Sequence, residues 1–149
     1  MELKEKVYDA CLQIVNKKIQ ALQNTLHELG EGALNDGKSS AGDKHETARA
    51  MMQLEQEKIS KQLDELLAQK SFLQKTDITL KSMHITKGSL IKTNKGYLFL
   101  SIALGKIIID GIDVIILSPQ SPLGIKLIGL QSQSSVEVNK IVYMIEEVF

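Results

Sequence analysis

Asp43 and Glu46 lie three residues apart in the run Ala41-Gly42-Asp43-Lys44-His45-Glu46-Thr47-Ala48. At helical spacing, residues three apart share a face. Two carboxylates side by side offer hard oxygen ligands of the kind Mg²⁺ prefers. The chemistry open to such a pair is metal binding, the lending of oxygens to a divalent ion. His45 stands between the two acids and His27 lies upstream. Together they could make a mixed nitrogen–oxygen zinc set, but no HxxxH or HExxH spacing supports one.

The elements around the pair decide where it is held. Tyr8, Leu12, Val15, Ile19, Leu22, Leu26 and Leu29 are spaced 4,3,4,3,4,3. Met52, Gln56, Ile59, Leu63, Leu66, Lys70 and Leu73 repeat that spacing, with Leu54, Leu67 and Phe72 expected to widen the stripe. Both are coiled-coil seams, and two seams of similar length joined by a polar stretch should fold back antiparallel. Helices of about 28 residues would be roughly 42 Å long. Gly30, Gly32 and Gly37, with Asn35, Asp36, Ser39 and Ser40, are expected to break the first helix. The pair then falls at the tip of a hairpin. A plainer role is open there too: Asp43 as N-cap of the second helix, with Glu46 completing a capping box.

The sequence changes character near residue 76, before which there is no proline. After it come six glycines, both prolines and many β-branched residues. Strands are expected up to Thr93, from Tyr97 to Ile102, over Lys106–Ile109 and Val114–Leu117, and within Val136–Val148. Asn94-Lys95-Gly96 and Asp110-Gly111 read as turns. Ser118-Pro119-Gln120-Ser121-Pro122-Leu123 reads as a rigid loop, and Leu123–Leu130 as a short helix or bent strand. The expected class is α+β: a coiled-coil hairpin over residues 1–76, then a small antiparallel β domain over 77–149.

Charge is balanced, 18 basic against 18 acidic residues. That removes the global positive field that drives nucleic-acid binding. There is no run of 18 apolar residues to span a bilayer. The charged start, Met1 to Lys6, lacks the apolar core of a signal peptide. A soluble cytoplasmic protein is expected, with no membrane partner. The single cysteine, Cys11, lies in the first helical pattern and is expected to be a buried, inert thiol. Arg49, the one arginine, reads as a helix-surface ion pair or a phosphate contact. Met51 and Met52 read as packing residues.

Gly42-Asp43-x-x-Glu46-x-Ala48, placed before the second seam, resembles the tip signature of the Gre transcript-cleavage factors of bacterial RNA polymerase. Ser121-Pro122 followed by Leu127-Ile128-Gly129 is similar to that family's C-terminal segment. The apolar closing stretch Lys140–Val148 also fits, so the resemblance spans nearly the whole chain. It implies an FK506-binding-protein-like β domain that docks on the rim of the polymerase secondary channel. The hairpin would enter the channel and bring Asp43 and Glu46 to Mg²⁺ shared with the polymerase, near the nascent RNA 3′ end. Cleavage of backtracked RNA would occur in the polymerase's own active centre, so the chain itself would not be an enzyme. A monomer is expected. Docking is assigned to Ser118, Pro119, Ser121, Pro122 and Leu123, with Ile125 as a further apolar contact. Ala50 stands where the family commonly has an aromatic residue. Leu130-Gln131-Ser132-Gln133-Ser134 replaces its usual continuation. The alternatives are a channel binder that does not cleave, or a coiled-coil interaction protein whose acids only cap a helix. Prolyl isomerisation would need aromatic pocket walls, for which Tyr97, Phe99, Tyr143 and Phe149 are available.

Overall fold

The computed structural model describes the backbone of residues 2–36 and 42–149, and the side chains of residues 2–31 and 46–149. The protein is α+β: two long N-terminal helices followed by a six-stranded mixed sheet carrying one short helix. Two compact units form, one from Met1–Leu12 with Ser71–Phe149 and the other from Gln13–Lys70.

Helix α1 spans Glu2–Asp36 and α2 spans Gly42–Lys75. Every described seam position is buried or half-buried, as the heptad spacing requires. Within the Gln13–Lys70 unit, Val15, Ile19 and Ile59 are the buried apolar residues. Two expectations are corrected. Helix α1 does not break at Gly30 or Gly32 but continues to Asp36; a glycine costs about 1 kcal/mol in a helix interior, which neighbouring turns can absorb. Leu54 and Leu67 do not widen the seam: they are 65% and 43% exposed, off the apolar stripe.

In the other unit, β1 (Leu90–Thr93), β2 (Gly96–Leu100), β3 (Gly105–Ile109), β4 (Ile112–Leu117), β5 (Ser135–Val138) and β6 (Ile141–Val148) take the order β3-β4-β2-β1-β6-β5. Asn94-Lys95 closes β1 on β2, where the Thr93 hydroxyl donates to the Gly96 carbonyl at 2.7 Å and accepts from the Lys95 amide at 3.1 Å. Asp110-Gly111 closes β3 on β4 with φ of 50° and 78°. Both residues are left-handed, the signature of a type I′ turn.

The expected all-antiparallel sheet is corrected. β2 and β4 run parallel, Tyr97 opposite Val114 through Leu100 opposite Leu117. β4 inserts between β2 and β3 because it is apolar on both faces: Val114 and Ile116 are buried on one side, Leu117 on the other. β3 exposes Lys106 and Ile108 and takes the edge. The expected single strand over Val136–Val148 is two, β5 and β6, turned at Asn139-Lys140 with φ of 53° and 66°. The segment Leu123–Leu130 resolves in favour of helix, as α3 (Pro122–Leu127).

One face of the sheet packs Ile91, Leu98, Leu100, Leu117, Ile145 and Val148 with Ile85 and Leu127. Register places Leu90, Phe99, Val114 and Ile116 on the opposite face, and all four are buried. Burying each such side chain contributes about 1.5–3 kcal/mol. The first turns of α1 are tied into this unit by polar contacts. Lys4 is only 3% exposed, and its Nζ donates to the carbonyls of Leu80 and Phe149, both at 3.2 Å. Burial pushes the Lys4 pKa below its ordinary value, with the nearby Asp77 charge opposing the shift. Lys6 pairs with Asp110 at 2.6 Å, and the Tyr8 hydroxyl donates to the Leu73 carbonyl at 2.7 Å. No helix among the described residues is long and apolar enough to cross a membrane.

Candidate functional site at the start of α2 and around α3

Helix α2 begins at Gly42, so Asp43 and Glu46 both belong to its opening turns. Those turns carry the positive end of the helix dipole, where acidic side chains are favoured. Glu46 is exposed, as are Thr47, Ala48, Arg49 and Ala50 after it. The side chains of Asp43 and His45 lie outside the described residues, and so does capping of α2 by the Asp43 carboxylate. By the helix bounds Asp43 falls inside the first turn rather than ahead of it.

Among the described residues no three His, Cys, Asp or Glu side chains gather to hold a metal ion. His27 instead lies 3.1 Å from Glu31, one turn along the exposed surface of α1. Cys11 is buried and its thiol is pushed up to about 12 by desolvation, so it stays protonated and inert.

The Ser118–Leu123 segment is organised around the start of α3. The Ser121 hydroxyl donates to the Ser118 carbonyl at 2.6 Å and accepts from the Gly124 amide at 3.0 Å, the N-cap bond of α3. Pro122 takes the first helical position, where its missing N–H costs nothing. The Ser118 hydroxyl accepts from the Gln120 amide at 3.1 Å. Gly124 is buried beneath this arch, and a Cβ there would collide with the Ser118 carbonyl oxygen. Both serines thus hold the loop itself, and Leu123 packs against the core. Facing outward are Gln120, Pro122 and Lys126 and, as apolar residues on and just after α3, Ile125 at 65% exposure and Ile128. Ile128 was read from sequence only as part of the Leu127-Ile128-Gly129 segment, not as a contact residue.

Three cavities bear on the sites considered. A groove of about 340 Å³ in the Gln13–Lys70 unit is lined by Lys18, Ala21, Leu22, Gln62, Leu66 and Gln69, where Ala21 leaves the helices underfilled. A second, of about 510 Å³, lies between Phe72, Asp77 and Lys87–Ser89. A third, of about 330 Å³, lies between Lys4, Leu80 and Phe149. The aromatic walls a proline-binding pocket needs are not gathered. Phe99 is fully buried, Tyr143 packs against the core, Tyr97 is half-buried on β2, and Phe149 is the one aromatic lining its cavity. In comparisons with protein-family models, curated proteins and solved structures, the chain matches none.

Proposed function

We propose that this protein is a Gre-like transcription factor that enters the secondary channel of bacterial RNA polymerase and stimulates cleavage of backtracked RNA. The observation that carries the reading is the exposed Glu46 in the opening turns of a 34-residue helix that comes next in the chain after a 35-residue helix. Asp43 shares those turns. Two carboxylates so held would extend oxygens toward Mg²⁺ shared with the polymerase. When bound there, Mg²⁺ supplies water activation and steadies the leaving oxygen of the RNA. The chain's own residues orient those oxygens and add negative charge; the α2 backbone fixes their spacing. Docking would rest on the outward surface at α3, with Pro122 and Ile125 replacing the serines as contact residues.

A second reading is supported by Met51 and Leu54, which are 66% and 65% exposed on the same helix. An apolar pair one turn apart on an exposed helix suits contact with another protein and requires no metal. In this reading the protein occupies or grips a partner without promoting cleavage.

Asp43→Asn with Glu46→Gln separates the two. In a backtracked-complex RNA cleavage assay at varied Mg²⁺, the first reading expects the double variant to bind polymerase but lose cleavage. A wild-type protein that binds polymerase yet never speeds cleavage supports the second. Failure to bind polymerase at all ends both polymerase readings.

A further inference from the structure

We infer that the free edge of β3 pairs with the same edge of a second copy of this chain, joining two sheets about a two-fold axis at Ile108. Among the described residues β3 has a strand neighbour on one side alone, β4. The two-residue Asp110-Gly111 turn makes Ile109 and Ile112 the closing, doubly bonded pair of that hairpin. Backbone bonding alternates along the strand, so Gly105, Ile107 and Ile109 bond inward to β4. Lys106 and Ile108 therefore turn their N–H and C=O groups outward.

An open row of this kind is a template for another strand unless short length, charges, proline or bulges blunt it, and Lys106 is the single charge on this strand. This one carries Lys106 followed by three isoleucines, and Ile108 is 65% exposed. Ile115, on the same face opposite Lys106, is also exposed.

The sequence of β3 selects its own copy as the occupant. Antiparallel pairing about Ile108 sets Ile108 against Ile108 and Ile107 against Ile109 of the second copy. Asp110, which follows β3 in the turn, then lies toward Lys106 of the second copy, and symmetry repeats that contact. Moving the axis to Ile107 sets Lys106 against an isoleucine, and moving it to Lys106 sets two lysines together. A one-residue slip of one strand faces outward groups with inward ones. The Ile108 axis thus satisfies backbone, apolar and charged groups at once. Asp110 and Lys106 already touch Lys6 and Asp113 within the chain, but all four side chains are largely solvated and free to share. A strand this short buries less than a standard interface, so the dimer is weak, with a dissociation constant on the order of 0.1 mM. The monomer expected from sequence is the species at lower concentration.

Sedimentation of the full chain up to about 1 mM, with amide exchange read residue by residue, tests this. The expected result is a monomer–dimer equilibrium in which the amides of Lys106 and Ile108 gain protection with concentration. Those of Ile107 and Ile109 are protected throughout. Lys106→Asp or Asp110→Lys alone raises the dissociation constant about tenfold, and the two together restore it. Ile108→Pro leaves the β3–β4 ladder intact, because that N–H points outward, and abolishes the dimer. A chain monomeric at every concentration overturns the inference. So does a dimer indifferent to Ile108→Pro, or one whose charge swap brings no recovery. Assembly beyond two copies, or pairing seen only with another protein's strand, also overturns it.

Discussion

Ser121 carries a testable division between holding the fold and touching a partner. Replacing it with alanine removes the acceptor for the Gly124 amide and the donor to the Ser118 carbonyl. Loss of an N-cap costs about 1 kcal/mol, and loss of a further partly buried hydrogen bond costs about as much again. The sum is about 2 kcal/mol. In a domain of this size each kcal/mol moves the melting temperature by about 4–8 °C, so Ser121→Ala should melt about 8–16 °C lower. Ser121→Asp keeps a capping oxygen but cannot donate to the Ser118 carbonyl, so it should recover no more than about half of the loss. Gly124→Ala should be worse than either, because its Cβ meets a backbone oxygen that cannot swing away. Scanning calorimetry of the three variants, beside their binding to RNA polymerase, decides the matter. A Ser121→Ala protein that melts within about 2 °C of wild type refutes the arch as a structural element. If that same variant bound polymerase poorly, the serine would be a contact residue after all.

Two other outcomes follow from single residues. Lys140 holds a left-handed backbone at φ 66° in the β5–β6 turn, where glycine is at ease. Lys140→Gly should raise stability by about 0.5–1 kcal/mol in chemical denaturation, the relieved strain outweighing the looser unfolded chain. Cys11 has its thiol raised from 9.0 to about 12, so folding disfavours the thiolate. Its contribution is fully present below pH 9 and is lost as pH rises toward 12, because the unfolded state releases a proton that the folded state keeps. Cys11→Ala should flatten that part of the stability–pH curve, measured by urea unfolding between pH 8 and about 11.

The buried positions of the two long helices were legible because the heptad spacing of Val15, Ile19, Ile59 and Leu73 is a direct imprint of helix geometry. The Asp110-Gly111 turn was equally plain, since its residue types announce the conformation. Asn139-Lys140 was not, because lysine ordinarily avoids positive φ and nothing local betrays it. The parallel β2–β4 pairing was hidden for a different reason. Strand order is set by which strand is apolar on both faces, and Val114-Ile115-Ile116-Leu117 reads as a strand without saying who its neighbours are. At the candidate site, sequence found Glu46 and the Ser-Pro loop. It could not show that the loop's hydroxyls are consumed internally, because a serine in a turn looks the same whether it caps or contacts.

Lys4 reaches the Phe149 carbonyl across 145 positions of chain. That single bond fixes an order of events during synthesis. The ribosome releases residue 4 long before residue 149, so the opening turns of α1 wait, unanchored, while everything between them is made. Closing so long a loop carries an entropic cost that only a nearly finished sheet can offset. A nascent chain arrested before β6 would lack both the strand beside β1 and the carbonyl for its buried ammonium. Arrested chains of that length should therefore be protease-sensitive at their N-terminal end, and gain resistance abruptly once the last strand emerges.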